Sequence, residues 1–340
     1  MKILLIGGTG FIGPFVVQQL TDAGNEVAVL HRGKSDVGLP DGAQRIIGDA
    51  NRLDDHHEEL RRLPPDVVVN FILSSGKQAE LMMRALRCIA KRVIALSSMD
   101  VYRACGVFHG TESGALQPLP LKEDSELRTQ PAYSRAQMEM GQKIFSWMTD
   151  DYDKVPVEHV VMSDPGLPGT VLRLPMIYGP GDPLHRFVPI IKRICDGRQQ
   201  ILFGEKHAKW RGPKGFVENV AQAIALAATS ELAAGRIYNV SESDSLTELQ
   251  WAQLIAKEMG WNGEFIVMPE ERLPVHLVVS GNYAQHWVAS SERIRDELGY
   301  EEKLPRTVAL RRTIQWELEH PPAAIPEALF NYAAEDAVLA

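Results

Sequence analysis

Lys2-Ile-Leu-Leu-Ile-Gly-Gly-Thr-Gly-Phe-Ile-Gly13 is the stretch that decides the fold of this 340-residue chain. An apolar run leads directly into a G-x-x-G-x-x-G turn, and a segment of helical period, residues 11–23, follows it. Such glycines let the backbone approach a pyrophosphate, and the start of the helix supplies free amides and partial positive charge. The stretch therefore predicts a dinucleotide-binding unit. Its residues expected to contact the cofactor are Gly7, Gly10, Phe11, Ile12 and Gly13.

The same alternation of short apolar runs and helical segments continues through the first half of the chain. It indicates an α/β fold, a Rossmann-like doubly wound parallel sheet, with a smaller mixed C-terminal substrate domain. We predict a dinucleotide-binding domain at 1–174, to which 212–240 return, a substrate-binding domain at 175–211 and 241–320, and a tail at 321–340. The predicted strands are 2–6, 26–30, 45–47, 67–71, 92–96, 170–174 and 236–240.

Between and beyond these strands the pattern is less regular. Residues 105–131, rich in Gly, Pro, Ser and Thr, predict a long loop, and a helix is expected near 132–147. Residues 150–168 resemble an insertion with a short strand at 158–162. Ser245 and Glu248 fit a capping box, since a hydroxyl and a glutamate three residues later can satisfy each other's backbone amides.

Composition excludes several classes of protein. Lys and Arg number 36 against 44 Asp and Glu, a net charge of −8 that makes nucleic acid an unlikely partner. No apolar run is long enough to cross a bilayer, and no secretory signal opens the chain, so we expect a cytoplasmic protein without a membrane partner. The three cysteines and ten histidines show no metal-ligand spacing, so we expect no metal.

The end of the second predicted strand bears on the choice of cofactor. His31, Arg32 and Lys34 stand where a carboxylate would normally bind the adenosine ribose. Cations there favour a 2′-phosphate, so NAD(P) is expected with NADP favoured over NAD; the alternative is that they are solvated loop charges. Asp49, followed by Ala50, is placed to contact the adenine, or is an ordinary turn aspartate.

Several motifs in order give the chain its resemblance to a known family. After the glycine turn come Leu96-Ser-Ser-Met-Asp-Val-Tyr102, Pro131-Ala-Tyr133, Leu172-Arg-Leu-Pro-Met-Ile-Tyr-Gly-Pro-Gly181 and Phe216-Val-Glu-Asn-Val-Ala221. The chain resembles the extended short-chain dehydrogenase/reductase family, the NAD(P)-dependent epimerases and dehydratases. The resemblance implies hydride transfer between a nicotinamide and a nucleotide sugar or similar hydroxylated small molecule.

The resemblance also implies catalytic residues, one of them atypical. Ser98 corresponds to the family's serine and Tyr133 to the tyrosine that exchanges a proton with the substrate hydroxyl. The family's lysine, four residues after the tyrosine, is replaced here by Gln137, which lacks the charge that lowers a phenol pKa. A lysine from elsewhere, such as Lys77 or Lys122, then supplies that charge in space, or Tyr133 merely packs.

Other departures concern the reacting end of the site. Asp100 stands two residues after Ser98, where it acts either as a general base near a sugar carbon or as a cap of the following loop. Phe71 takes the place of a small residue expected near the nicotinamide. On the substrate side the expected residues are Tyr178, His185, Arg186 and Arg211.

Gln137 also supports a rival interpretation, a catalytically impaired nucleotide-sensing or RNA-binding protein on the same fold. The family resemblance further implies a homodimer formed by helices near 76–90 and 132–148, with Met82, Leu86, Met138 and Phe145 at the interface. Those four apolar residues also fit ordinary core packing.

Overall fold

A parallel β-sheet forms the centre of the molecule. The computed structural model describes residues 1–33, 38–62, 64–323 and 327–340. The strands, in chain order, are β1 (Lys2–Ile6), β2 (Glu26–His31), β3 (Gln44–Ile47), β4 (Val67–Asn70), β5 (Arg92–Ser98), β6 (Gly169–Leu174), β7 (Met176–Tyr178), β8 (Gln200–Gly204), β9 (Lys214–Phe216), β10 (Arg236–Asn239) and β11 (Glu264–Met268). Seven of them form one sheet in the order β10-β6-β5-β4-β1-β2-β3, which confirms the doubly wound fold.

Helices cover both faces of this sheet. They are α1 (Gly13–Asp22), α2 (His57–Arg62), α3 (Gly76–Leu86), α4 (Arg103–His109), α5 (Arg135–Ile144), α6 (Lys154–Met162), α7 (Val188–Cys195), α8 (Glu205–Lys209), α9 (Val217–Thr229), α10 (Glu248–Glu258), α11 (Glu292–Leu298), α12 (Arg306–Glu319) and α13 (Tyr332–Ala337). The helices α1 and α9 pack together on one face, and α3 and α6 pack together on the other.

The central strands are buried on both faces. All four residues of β4 are buried, as are four of the five in β1. This is why Val67, Val68 and Val69 follow one another without polar alternation. The strand β1 pairs in parallel with β2 on one side and with β4 on the other, so the order of the strands reverses at β1. In this fold a crevice opens at the carboxyl ends of the strands at such a point.

The strand predicted at 158–162 is wrong, because these residues belong to α6. Asp153 caps the helix, its carboxylate accepting a hydrogen bond from the amide of Val155 at 3.0 Å. Helical spacing then places Lys154, Val157, Glu158 and Val161 on one buried face. The valines suggested a strand, but a packed helical face overrides that local preference.

Two smaller predictions need the same kind of correction. The predicted loop 105–131 begins inside α4, which ends at Gly110 in the left-handed conformation (φ 75°). The capping box lies two residues beyond the predicted one: Thr247 and Gln250, not Ser245 and Glu248, exchange hydrogen bonds at the start of α10.

Beyond the main sheet, β7 pairs with β9 and β8 pairs with β11, both in parallel. In the predicted tail, α13 packs against this region through Glu335, which is fully buried between Arg193 and His276. The domain boundaries stay a prediction. Within the described ranges no helix has the length and apolar character to cross a membrane, and no group of His, Cys, Asp and Glu is arranged to hold a metal.

Candidate functional site

The glycine turn lies where β1 ends and α1 begins, at the mouth of the crevice. Gly7 has φ 92°, and a Cβ there would stand 2.9 Å from a methyl of Ile72. At Gly13 a Cβ would stand 2.2 Å from the backbone of Gly8, so the helix can only pack here without a side chain. Gly10 differs, because its Cβ would meet nothing within 4 Å among the described residues. Internal packing does not require glycine at Gly10, whereas a ligand close to the backbone would.

The predicted adenosine end is formed by the ends of β2 and β3. His31 is buried, and its Nδ1 accepts a hydrogen bond from the amide of Gly33. Burial, and then the charge of Arg45, lower the pKa of His31, which favours the neutral imidazole at this position. Arg32 is exposed and donates a hydrogen bond to Ser146 at 3.4 Å. Lys34 lies outside the described residues.

Asp49 caps a short helix, and its contact with adenine stays a prediction. Its carboxylate accepts a hydrogen bond from the amide of Asn51 at 2.9 Å and starts the short 3-10 helix at Ala50. On the other side of the glycine turn, the half-buried Phe71 follows β4 and packs close to Gly7. The structure thus places Asp49, Ala50 and Phe71 at carboxyl ends of strands that border the crevice.

Ser98 is the last residue of β5, the next strand of the sheet, and Asp100 lies two residues beyond it. The hydroxyl of Ser98 accepts a hydrogen bond from the amide of Asp100 at 3.1 Å, so Ser98 is the cap and Asp100 is not. Asp100 itself is 1% exposed. Protein groups cover this carboxylate, and its role as a base beside a sugar carbon stays a prediction.

Two tyrosines converge on this buried carboxylate. The Tyr152 hydroxyl donates to Oδ2 of Asp100 at 2.8 Å, and the Tyr133 hydroxyl donates to the same oxygen at 3.3 Å. Burial, followed by the charge of Asp100, raises the pKa of both phenols well above the ordinary value. Tyr133 and Tyr152 thus share one carboxylate oxygen, and the catalytic role of Tyr133 stays a prediction.

A buried lysine lies close to these tyrosines, on the helix that follows Tyr152. Lys154, at the start of α6, is 3% exposed, and its Nζ donates to the carbonyl oxygens of Leu96, at 3.0 Å, and Leu73. These carbonyls belong to β5 and to the segment after β4, next to Phe71. Burial lowers the Lys154 pKa to about 8. The ammonium also lies 5.8 Å from the centre of the Tyr152 ring.

Gln137 does not take the place of the family's lysine. It is exposed on α5, and its side-chain oxygen accepts a hydrogen bond from the amide of Ser134 at 2.8 Å. The Ser134 hydroxyl in turn accepts from the amide of Gln137, which completes a capping box. The amide side chain is thus used to begin a helix, and the prediction that it belongs to the catalytic group is wrong.

Arg128 holds the two ends of the cluster together. Its side chain is buried, and it donates to the backbone oxygen of Asp100 at 2.9 Å and to the carboxylate of Asp153 at 2.6 Å. Asp153 caps α6, so the guanidinium links the segment that carries Asp100 to the helix that carries Lys154. Neither residue belongs to a motif in the sequence, because their relation exists only in three dimensions.

The four residues predicted to contact substrate differ in burial and in their hydrogen-bond partners. Tyr178 is fully buried, with its hydroxyl on Glu242 at 2.8 Å, and is a core residue. His185 is bound to Glu317 at 2.6 Å, and Arg186 to Asp182 at 2.6 Å and to a backbone carbonyl. These contacts contradict a free arginine grip at Arg186. Arg211 is exposed and its guanidinium donates to the backbone carbonyl of Ser245 at 3.0 Å, so it stays a candidate.

Tyr152 and Lys154 are candidate site residues that no motif in the sequence indicated. A signal was present: Tyr152 and Lys154 are two residues apart, and Glu158, four residues later, falls on the same helical face. The valines of the same segment predict a strand instead, and a strand would not place Lys154 and Glu158 on one helical face. Met82 and Leu86, two of the four residues expected at a dimer interface, are buried in the core and therefore unavailable to a partner. A homodimer stays a prediction.

Comparisons with known proteins agree with this architecture. Residues 3–241 match the model of the NAD dependent epimerase/dehydratase family. A UDP-glucose 4-epimerase of Streptomyces lividans is 23% identical, with 94% of this chain and 97% of that protein covered. The structure of MoeE5 with UDP-glucuronic acid and NAD has a TM-score of 0.66 at 19% identity, over 94% of this chain and 99% of that one.

A second solved structure shows the same fold. The dTDP-glucose 4,6-dehydratase DesIV from Streptomyces venezuelae, with NAD bound, has a TM-score of 0.65 at 19% identity, over 94% of this chain and 97% of that one. At these identities the likeness of the structures concerns the fold. The chain covers nearly the whole length of each of these proteins.

Proposed function

The chain belongs to the NAD dependent epimerase/dehydratase family, and we propose that it oxidises or epimerises a hydroxyl-bearing carbon of a nucleotide sugar by reversible hydride transfer. The observation that carries the proposal is the cluster of Tyr152, Lys154 and Asp100 beside the glycine turn. It brings a phenol, a buried cation and a carboxylate to the carboxyl ends of β4 and β5, where a ligand of this fold binds.

The residues present fit a nicotinamide dinucleotide. The open position at Gly10 and the free amides at the start of α1 suit its pyrophosphate. Lys154, between two backbone carbonyls, is a donor that suits ribose hydroxyls. When bound, the nicotinamide accepts or returns a hydride, and the protein's share is orientation and proton transfer.

Proton transfer is assigned to Tyr152, with Lys154 as the neighbouring cation. Ser98 holds the substrate oxygen in this assignment, and Tyr133 is the second hydroxyl of the site. The rival interpretation of a catalytically impaired binding protein depended on the neutral Gln137. Because Lys154 supplies the charge from α6, that support is lost, and the redox function is favoured.

The finer choices of cofactor and substrate are also part of the proposal. Arg32 is exposed at the end of β2 and can bind a 2′-phosphate, which supports NADP. The proteins of similar fold are described with NAD, so both cofactors must be compared. Nucleotide sugars are proposed because the similar proteins are named for UDP- or dTDP-sugars, and Arg211 is a candidate contact for the diphosphate.

The test is incubation of the purified protein with each cofactor and a panel containing UDP-glucose, UDP-glucuronic acid and dTDP-glucose. We expect an epimer or a 4-keto sugar, detected by NMR, and loss of product in Tyr152→Phe. Lys154→Met should weaken cofactor binding measured by calorimetry, because it removes a donor to the ribose. Binding of neither cofactor, or no product from any sugar nucleotide with bound cofactor, would contradict the proposal.

A further inference from the structure

Asp100 lies behind the two tyrosines. The carboxylate is 1% exposed, whereas the rings of Tyr133 and Tyr152 are half-buried. Both phenols reach the same oxygen, Oδ2, and Tyr152 is the closer at 2.8 Å. A molecule in the crevice therefore contacts the phenols first, and a proton that moves between that molecule and Asp100 must pass through one of them.

The other oxygen of Asp100 is arranged differently. Oδ1 is buried and has no hydrogen-bond partner in the described part of the chain. A buried oxygen without a hydrogen bond loses solvation that nothing replaces. Oδ2 is therefore the oxygen through which the Asp100 carboxylate contacts the two phenols, and Oδ1 is held by no other group of the described residues.

The charges around Asp100 do not bind its carboxylate directly. Lys154 donates to two backbone carbonyls, and Arg128 donates to the backbone oxygen of Asp100 and to Asp153. Within the described ranges no ion pair includes Asp100. The titratable and charged groups that face it are Tyr133, Tyr152, Lys154, Arg128, Cys105 and His109.

We propose that Asp100 is the proton acceptor behind Tyr152: as the Tyr152 oxygen takes the proton of a bound hydroxyl group, the phenolic proton of Tyr152 moves to Oδ2 of Asp100. One O–H bond forms at Tyr152 while another breaks, so the phenol stays neutral and the carboxylate becomes a carboxylic acid. The inference rests on the proposed function, which supplies the hydroxyl group and the nicotinamide that takes the hydride. In the reverse direction the proton returns by the same two oxygens.

The relay explains how Tyr152 works without ionising. Burial, and after it the charge of Asp100, raise the pKa of Tyr152, because a phenolate there would lose its hydration and lie beside a carboxylate. If the proton passes through the phenol in one step, no phenolate forms. Asp100 acts through Tyr152 and does not touch the substrate, so it is a positioning residue with a proton-accepting role.

The first arm of the test needs no substrate. Tyrosine is replaced uniformly by 3,5-difluorotyrosine, which brings phenol ionisation down to a pH range where the fold is intact, and ¹⁹F NMR follows each resonance with pH. Tyr152→Phe and Tyr133→Phe assign the two signals. In Asp100→Asn we expect the Tyr152 midpoint to fall by about one pH unit or more, since a like charge is removed. An unchanged midpoint would overturn the relay.

A matched control is present elsewhere in the molecule. The Tyr238 hydroxyl donates to the Glu297 carboxylate at 2.9 Å. Glu297→Gln should therefore move the Tyr238 resonance alone, and Asp100→Asn should leave the Tyr238 resonance unchanged. If Asp100→Asn does not fold, Asp100→Ser removes the same charge with a smaller side chain. A shift of all tyrosine resonances together reports a general disturbance and counts against the relay.

The second arm measures the rate against pH with the sugar nucleotide found in the product screen. We expect the wild-type rate to be nearly independent of pH in the neutral range. In Asp100→Asn the phenol must lose its own proton, so the rate should rise about tenfold per pH unit. A parallel loss at every pH overturns the relay, whereas absence of wild-type turnover contradicts the proposed function and leaves the ¹⁹F result to decide the role of Asp100.

Discussion

Two of the three helices between β5 and β6, α5 and α6, differ in almost every physical respect. The first, α5, carries the Pro131-Ala-Tyr133 motif at its start, yet none of its ten residues is buried. The second, α6, matches no expected motif, yet it buries Lys154, Val157, Glu158 and Val161 against the sheet and α3. The buried lysine thus lies on α6, which packs on the sheet, whereas Gln137 on the exposed α5 takes part in the capping box of that helix.

This difference teaches that a site is located by what a segment packs against. Family spacing, counted from Tyr133, leads to Gln137, which points to solvent. Packing leads to Lys154, only 3% exposed and close to the ends of β4 and β5. A lysine becomes chemically useful when burial lowers its pKa, and of these two helices α6 provides such an environment.

The largest expected effect separates the two tyrosines. Tyr152→Phe should lower kcat by about 10²- to 10⁴-fold, the usual range for a lost proton-transfer group, while Tyr133→Phe should lower it far less. The reason is that Tyr152 is the closer to Asp100 and has Lys154 over its ring. Steady-state rates of both variants decide the matter. A larger loss in Tyr133→Phe would return the catalytic role to the start of α5.

A second comparison concerns ion pairs on the two helices. Glu158 on α6 pairs with Arg173 at 2.7 Å, and both side chains are 2% exposed. Glu158→Gln should lower the free energy of unfolding by about 3–5 kcal/mol, because a buried arginine loses its partner charge. On α5, Glu139→Gln breaks an exposed pair with Arg135 and should cost less than about 0.5 kcal/mol. Urea unfolding measures both, and equal losses would contradict the contrast.

A pH dependence of stability sharpens the contrast further. The Lys154 pKa is lowered by burial to about 8 from 10.5, so between these values the unfolded chain binds more protons than the folded one. Stability attributable to Lys154 therefore rises with pH across that window, by about 3 kcal/mol in total. The measurement is the difference in unfolding free energy between wild type and Lys154→Met. A difference that is flat from pH 8 to 10.5 would show that the ammonium is not buried.

The smallest expected effect belongs to α5. Gln137→Ala removes one half of the capping box, which should lower the free energy of unfolding by about 1 kcal/mol or less. We expect turnover to change far less than in Tyr152→Phe. Circular dichroism and steady-state rates check both points. A loss of activity comparable to that of Tyr152→Phe would restore Gln137 to the site.

Much of the fold could be predicted because it is encoded locally. The runs Lys2 to Ile6 and Val67 to Val69 are apolar without alternation, and such runs form buried parallel strands whatever follows them. The seven predicted strands are the seven strands of the main sheet, with ends that differ by at most two residues. Element ends shifted by a few residues where caps decide them, as at Thr247.

The site could be predicted only in part, for a different reason. Gly7 and Gly13 were recognisable because their turn is continuous in sequence. Tyr152 and Lys154 were not, because the valines of α6 gave a strand-like pattern and the helix is recognised only through the surfaces it buries. Tyr178 was assigned to substrate from its motif, although its hydroxyl is bound to Glu242 in the core.

By itself, the sequence determined the parallel sheet, the glycine turn and the membership in a nucleotide-binding fold, because these depend on local periodicity and on residues that are neighbours in the chain. Only the tertiary structure decided which tyrosines contact Asp100 and which lysine lies near them. Those residues come from the segments after β5 and before α5 and α6 and from the first residue of α6, and burial shifts the pKa of the lysine and of both tyrosines. Burial is a property of the packed molecule, and no residue carries it alone.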